Sequence, residues 1–447
     1  MTETIAPSFP IYVTLPIWAA VLILVLFQIS RLRDRYVAFL LCSLWLRYSL
    51  GAFHEYTYLP LLFGFSAIAL SSLIVIAIGF VLLGTRALFL RKLAPLYVII
   101  LLILISASIN QTWIGAINAI LKWLYMIVFT LIAYASIERN GPDRVFRALA
   151  IVFVGPIVLQ WISVAWGLDL VNEDRTLSFV GGYQHEQAFS IFLLTFLYVT
   201  AFTSRLGVGA SYLRLLIVGV GLAYANYRTS ILAATAPAVS FAITTFIGRI
   251  THRQRVIVFI VIGAVSVASL IEIANLAYAR FADLGEVLDK GASLIQSPEY
   301  FTADQRRLFS GRVFLWSQYF DAYLDGNIIQ LLFGFGPESW VGRFPLYAHN
   351  TFISHLYELG IFGLVAFVWL LLVNMLRAIY TGSAKIILLS CHVGFFILNL
   401  ATMPIWTIEG DILYAFLLAQ TWYMQVPAAE KLGFLKARTP STSLAYG

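Results

Sequence analysis

The sequence predicts an all-α polytopic membrane protein, with about 13 transmembrane helices and one large extracytoplasmic helical loop. Hydrophobic residues make up 61% of the 447 positions and charged residues only 11%, whereas a soluble protein carries about 25% charged residues. Apolar stretches near the roughly 20 residues that cross a bilayer follow one another along most of the chain. Basic residues are concentrated in alternate connectors. These three observations predict a helical bundle in lipid.

The apolar stretches give the candidate spans. They are 11–30, 36–53, 61–83, 93–109, 113–137, 146–167, 187–204, 211–226, 229–248, 256–275, 352–376, 386–404 and 411–427. We expect the first to be a retained span, because it has neither a basic flank nor a cleavage site. The chain then divides into a transmembrane helical bundle (1–275), an extracytoplasmic loop (276–350), and C-terminal transmembrane helices with a short cytoplasmic tail (351–447).

The basic connectors predict the orientation. Most of the 29 Lys and Arg residues lie in every second connector, and such connectors are usually cytoplasmic. The N-terminus is then outside and the C-terminus inside, and the loop 276–350 is outside.

Four cations depart from this pattern, because they lie in or beside spans on the outer side: Arg47, Lys122, Arg175 and Arg228. Each could extend its charge to the interface or pair with an acid such as Glu409. Taken together, four cations at membrane depth favour an outward-facing basic pocket that binds an anion.

Arg228 has the most informative setting of the four. The apolar stretch 211–248 is too long for one span and is interrupted only at 226–230, which predicts a tight outer turn with Arg228 at its tip. A guanidinium beside a helix N-terminus suits a phosphate, since it stays charged and donates two parallel hydrogen bonds.

The outer loop has three local features. Aromatic and apolar residues recur at helical spacing, which predicts an amphipathic helix with one packed face: Phe309, Val313, Trp316, Phe320 and Tyr323. A tight turn is predicted at Gly334–Gly336, which lacks the third glycine of a dinucleotide site. Asn350 and Thr351 have the pattern of a helix cap, which places His349 at the water–membrane boundary.

Several classes of site have no motif here. The sequence contains no Walker loop, no Asp-x-Asp pair and no Cys/His metal spacing, so we expect no metal, nucleotide or other cofactor. Nucleic acid is not an expected partner. The two cysteines lie in apolar runs, and the absence of an internal repeat gives no support to the architecture of many transporters.

Four segments resemble the O-antigen ligase/O-antigen polymerase family of bacterial inner-membrane proteins. They read SGRVFLW at 310–316 with GFG at 334–336, HNTFISHLYELGIFGL at 349–364, YRTS at 227–230 and, more loosely, GGYQHEQA at 181–188. In the last, Glu186 and Gln187 stand where the family has Pro-Asn. The family's basic residue ahead of that segment has only an offset counterpart, Arg175.

The resemblance implies a periplasm-facing enzyme of the bacterial inner membrane. It would transfer a glycan from a polyprenyl (undecaprenyl) diphosphate to an acceptor hydroxyl, without metal and with inversion at the anomeric carbon. His349 is then the candidate base or acceptor-orienting residue, and we expect a near-neutral pKa. Arg228 and Arg312 are the candidates that stabilise the leaving diphosphate.

Further residues are assigned to substrate binding: Arg175, Tyr227, His185, Lys122, Asn350 and Glu358. Glu186 is an alternative to His185 as a base, and Arg47 could be a secondary anion contact. Glu358 could orient another side chain or pair with an arginine.

Three functions remain open. The preferred one is a polymerase of O-antigen or exopolysaccharide that transfers a growing lipid-linked glycan onto a lipid-linked repeat unit, with membrane lipid and a chain-length regulator as possible partners. The second is a ligase that transfers the finished glycan to lipid A core, as in lipopolysaccharide, or to a protein. The third is a lipid-linked oligosaccharide flippase, which the confinement of charge to the outer half argues against.

Overall fold

The computed structural model describes residues 7–62, 64–171, 176–204, 206–247, 294 and 296–425. Helices account for most of these residues, and the strands form two short antiparallel pairs. The predicted all-α class is confirmed. Helices suit lipid because every backbone polar group is bonded within the segment.

The α-helices are numbered here in chain order. They are α1 Ile11–Leu32, α2 Arg35–Ala52, α3 His54–Thr57, α4 Ala67–Leu83, α5 Ala94–Asn110, α6 Trp113–Asn140, α7 Pro142–Leu149, α8 Val154–Trp166, α9 Glu186–Ala201, α10 Val208–Ala225, α11 Arg228–Ile247, α12 Arg312–Leu324, α13 Ile328–Phe333, α14 Thr351–Ile379, α15 Lys385–Ala401 and α16 Ile408–Gln425. Strand β1 Pro60–Leu62 pairs with β2 Phe65–Ser66, and β3 Leu170–Val171 pairs with β4 Leu177–Ser178.

Most candidate spans coincide with one helix, to within a few residues. Two differ: a hairpin occupies the start of 61–83, and 146–167 contains the two helices α7 and α8. The candidate span 256–275 lies outside the described residues.

Seven segments of the described chain are long and apolar enough to cross a membrane. They are Ile11–Leu32, Arg91–Asn110, Trp113–Asn140, Pro142–Trp166, Val208–Ala225, Thr351–Ile379 and Gly382–Ala401. The protein is therefore a multi-pass membrane protein. The total of 13 spans, the orientation and the division into three segments stay predictions.

The centre of the bundle is built around α6. Nearly every residue from Tyr125 to Ile137 is buried, and the largest helix–helix interfaces join α6 to α16 and α11 to α15. Aromatic rings fill this core, as where Tyr125 stacks on Phe129 with centroids 4.6 Å apart. A core buried on all sides holds the helix ends, and therefore the outer site, in fixed positions.

Helix α14 bends sharply at Gly360, whose backbone is not helical (φ 69°, ψ −169°). The bend removes the helical partners of the preceding carbonyl groups. The Gly-Phe-Gly turn supplies replacements, because Phe335 N donates to Tyr357 O (2.9 Å) and Gly336 N donates to Glu358 O (3.0 Å). This contact docks the outer loop on α14.

Both positions at this contact require glycine, because there is no room for a Cβ atom. A Cβ at Gly360 would lie 2.4 Å from the Leu332 carbonyl carbon, and one at Gly334 would lie 2.2 Å from that of Glu358. The two backbones therefore touch directly, which only residues without a side chain permit.

The loop helix α12 buries a different face from the predicted one. Its buried residues are Leu315, Tyr319 and Tyr323, whereas Phe320 is 43% exposed. Phe309 precedes the helix. Of the four predicted stripe residues within α12, Tyr323 is fully buried, whereas Val313 and Trp316 are half-buried. The prediction was wrong because it counted aromatic spacing alone.

Tyr319 determines which face of α12 is buried. Its ring stacks on Phe344 (4.0 Å between centroids) and its hydroxyl donates to Leu346 O at 3.0 Å. A buried tyrosine needs a partner for its hydroxyl, and the returning chain provides one.

Candidate active site

Four chain segments meet at one end of the bundle and bring together residues that the sequence singled out. They are the α10–α11 junction with Tyr227, the start of α12 with Arg312, the start of α9 with His185, and the residues before α14 with His349. We call these four residues the outer cluster.

Arg312 is the first residue of α12 and is fixed in two directions. Its Nη1 donates to Ala401 O at 2.8 Å, and its guanidinium lies within hydrogen-bonding reach of the Tyr227 hydroxyl. The preceding Gly311 has a left-handed backbone (φ 76°), which glycine adopts without strain. The turn therefore aims a rigidly held cation at the cluster.

Tyr227 is a buried side chain between α10 and α11. Burial raises the pKa of its phenol, and the Arg312 cation opposes that shift. Tyr347 and Glu186 are also close enough to act on it electrostatically. A neutral phenol beside a guanidinium can pass one hydrogen bond on to a ligand.

His349 has a strained backbone and an unusually low pKa. Its φ is +49°, rare for a residue with a side chain, and its ring lies 4.0 Å from the Tyr347 ring. Burial lowers the pKa of His349 to about 3, and the nearby Arg312 cation and His185 add to that shift. The expected near-neutral pKa is therefore wrong, since it did not allow for this burial.

Asn350 acts as the cap of α14. Its Oδ1 accepts from Phe352 N (2.9 Å) and Ile353 N (3.1 Å), and its Nδ2 donates to Leu400 O at 2.8 Å. The predicted cap is confirmed. Asn350 thereby fixes the backbone that carries His349, rather than offering its own polar groups to a ligand.

His185 caps α9. Its Nδ1 accepts from Gln187 N at 3.1 Å and lies 3.4 Å from a carboxylate oxygen of Glu186. The side chain is 52% exposed, so its other ring nitrogen is available to a ligand at the edge of the cluster.

Arg228 opens α11 directly after Tyr227. Chain connectivity therefore places it beside the cluster, and its side chain is half-buried and engaged. Arg175 lies outside the described residues.

Lys122 and Glu358 lie elsewhere, around a separate cavity of about 30 Å³. Glu358 is buried, and its two oxygens accept from Glu338 N and from Ser354 Oγ, both at 2.9 Å. Lys122 Nζ lies 5.1 Å from the Trp406 ring centroid. Neither Arg312 nor His349 lines this cavity, which is large enough for about one water molecule.

Glu358 orients another side chain, one of its two expected roles, because Ser354 Oγ donates to it. It orients the backbone of the outer loop at Glu338, and within the described residues it forms no ion pair with an arginine.

Arg47 is not a free anion contact. Its Nε lies 2.7 Å from Glu409 Oε1, and both side chains are largely buried. This confirms the alternative in which an outer cation pairs with an acid. Arg47 and Glu409 lie 362 residues apart, a pairing that no local sequence pattern could select.

Tyr347 and the carbonyl groups at the end of α15 were missed by sequence reasoning. The Tyr347 ring packs against the His349 ring at a tilt of 34°, and its position two residues before the histidine was an available signal. The carbonyl acceptors could not be identified from the sequence, because every residue has a backbone carbonyl group.

One family model matches part of the chain. Residues 213–368 match the model of the O-antigen ligase family. The resemblance to the O-antigen ligase/polymerase family is confirmed. The matched range contains Tyr227, Arg228, Arg312 and His349, and excludes His185 and Lys122. No curated protein matches the chain. The family match suggests a membrane enzyme of the glycosyltransferase type and gives no support to a flippase.

Proposed function

We propose that this protein is a polysaccharide polymerase of the bacterial inner membrane. In this proposal it transfers a glycan from a polyprenyl (undecaprenyl) diphosphate onto a lipid-linked repeat unit at the periplasmic face. The observation that carries the proposal is the placement of Arg312, Tyr227 and His349 in one cluster, inside the matched family range.

In this reaction the site must stabilise the negative charge that develops on the leaving diphosphate. The acceptor oxygen bonds to the anomeric carbon, the bond from that carbon to the diphosphate oxygen breaks, and the diphosphate leaves with the electron pair. Fixed cations stabilise that developing charge best, because they need no reorganisation. Arg312 is held by Ala401 O and faces Tyr227, and Arg228 begins the adjacent helix.

His349 takes the acceptor's proton in this proposal. With its pKa at about 3 the ring is neutral, so it can accept a proton, but it holds one weakly. An anionic diphosphate beside Arg312 would offset the positive charge that adds to the lowering of this pKa. Binding of the donor therefore raises the basicity of His349 where it is needed.

A ligase is the second candidate, favoured by the description of the matched family as O-antigen ligase. It would use the same cluster and differ only in the acceptor, which would be lipid A core or a protein. The choice between polymerase and ligase is a choice of acceptor.

The test uses purified protein and a synthetic polyprenyl-diphosphate glycan. A polymerase yields a ladder of longer lipid-linked glycans when no other acceptor is added, whereas a ligase consumes donor only with lipid A core or a protein acceptor. Both release polyprenyl diphosphate. Arg312→Gln and His349→Gln should each abolish most turnover.

Arg343→Gln is the matched control for this test. Arg343 lies in the same loop but is exposed and packs on Phe335 with its Cζ 5.0 Å from the ring centroid. Turnover that survives in folded Arg312→Gln and His349→Gln proteins would exclude the proposed site.

A further inference from the structure

The far end of α14 carries a second cluster of cations. Lys92 lies just before α5, and Arg377 lies in the last turn of α14. Both point at one buried indole in the last turn of α16: Lys92 Nζ is 5.9 Å and Arg377 Cζ is 6.0 Å from the Trp422 ring centroid. The part of α14 that runs from its bend at Gly360 to Arg377 is about 25 Å long at 1.5 Å per residue, so this cluster lies far from His349.

Within the described residues, most of the hydrogen-bond donors of these two cations have no acceptor. Lys92 Nζ donates to Trp422 O at 3.3 Å, and Arg377 Nη1 donates to Asn374 Oδ1 at 3.1 Å. An ammonium has three donors and a guanidinium five. No further hydrogen bond of either side chain occurs within the described residues, and both side chains are only half-buried. A ligand can therefore reach the remaining donors.

No carboxylate neutralises the two charges in the described part of the chain. The ion pairs found there belong to Arg47, Arg139 and His185. Glu138 is the acid at this end of α6, and it acts on Tyr134 and Tyr423 instead. Lys92 and Arg377 are close enough to repel each other.

Helix ends account for part of this arrangement. A cation near a helix C-terminus is stabilised by the helix dipole, and Arg377 and Lys92 lie at the C-terminal ends of α14 and α16. That effect explains one cation at each end. It does not explain why two cations converge on one indole, where their repulsion is a cost.

We propose that Lys92, Arg377 and Trp422 form a binding site for an anionic phosphate group, either the phosphodiester of an anionic phospholipid or a free phosphate. Phosphate oxygens would accept from the unused donors and cancel the repulsion. Basic pockets between transmembrane helices bind anionic head groups in this way, and tryptophan is typical of the interface where head groups lie.

Thermal unfolding of the purified full-length protein in detergent tests this site. Three additives are titrated separately: dioctanoyl phosphatidylglycerol, dioctanoyl phosphatidylcholine and inorganic phosphate. Phosphatidylglycerol should raise the Tm of the wild type at lower concentrations than phosphatidylcholine does. Stabilisation by inorganic phosphate as well indicates a free-phosphate site, and stabilisation by phosphatidylglycerol alone indicates a lipid site; either supports the proposal.

Variants test which residues bind phosphatidylglycerol. Lys92→Gln and Arg377→Gln should each weaken phosphatidylglycerol binding at least fivefold, while Arg377→Lys keeps a charge and should weaken it less. Arg91→Gln and Lys385→Gln are the controls, because both cations are exposed at the same end of the bundle. The proposal is overturned if Lys92→Gln or Arg377→Gln binds phosphatidylglycerol as tightly as the wild type does. Equal binding of phosphatidylcholine and phosphatidylglycerol also overturns it.

Discussion

Arg312 and Asn350 donate to consecutive carbonyl groups at the end of α15. Arg312 Nη1 reaches Ala401 O and Asn350 Nδ2 reaches Leu400 O, each at 2.8 Å. The last carbonyls of a helix have no partner within it, and the dipole there favours a cation. One helix end therefore sets the spacing between the cation and the segment that carries His349.

The first prediction concerns the geometry of Arg312. Arg312→Lys should lose nearly as much turnover as Arg312→Ala, about 10²–10³-fold. A single ammonium cannot bond Ala401 O and still reach both Tyr227 and a diphosphate, whereas a guanidinium can. Release of polyprenyl diphosphate under single-turnover conditions measures the effect. An Arg312→Lys enzyme within fivefold of wild type would show that charge alone is sufficient.

The second prediction concerns pH. The pKa of His349 is about 3 in the folded protein and near 6.5 in an unfolded chain, so the unfolded state binds the proton more tightly. Stability from this residue is fully present above about pH 6.5 and is lost as pH falls towards 3. His349→Gln cannot titrate, so its Tm should fall less than that of wild type between pH 7.5 and 4.5.

His185→Gln is the comparison for this pH experiment. His185 contributes to the low pKa of His349, yet its own side chain is about half exposed. Its loss should leave most of the pH dependence in place, because burial is the largest cause of the shift. Equal Tm curves for wild type and His349→Gln would contradict the assigned shift.

The third prediction concerns the contact between the outer loop and α14. Gly334→Ala and Gly360→Ala should each destabilise the protein and expose the loop to protease, since each new Cβ would overlap the opposing backbone. Gly342→Ala is the matched control: it has a comparable positive φ (78°) with nothing within 4 Å of the added atom. The control isolates backbone strain, about 1–3 kcal/mol. Equal losses for all three variants would argue against the close contact.

The fourth prediction concerns Glu358 as an acceptor. Glu358→Ala leaves Glu338 N and Ser354 without their partner, and each buried unsatisfied group costs about 1–3 kcal/mol. Glu358→Gln keeps one acceptor oxygen and should lose less stability. Denaturant unfolding in detergent compares the two. If the alanine variant is as stable as the glutamine variant, Glu358 does not hold the loop.

Much of the fold was predictable because apolar run length alone specifies a membrane helix, as for α1 and α6. The tip of the α10–α11 turn followed from the break at 226–230, and the cap at Asn350 followed from its residue type. Contacts between distant segments were not predictable from spacing. The buried face of α12 depends on the bond from Tyr319 to Leu346 O, and the low pKa of His349 depends on its burial and on the nearby Arg312.

The last prediction concerns Arg47, the outer cation found in an ion pair with Glu409. Arg47→Met leaves Glu409 buried and unpaired and should cost about 3–5 kcal/mol, whereas replacing both residues by methionine should recover most of that loss. Turnover per folded molecule should stay at the wild-type level in the double variant, since the pair is already neutral and offers no charge to a diphosphate. A double-mutant cycle in denaturant, with turnover measured on the same samples, checks both parts. A double variant that folds well but has lost turnover would show that Arg47 takes part in binding the anion.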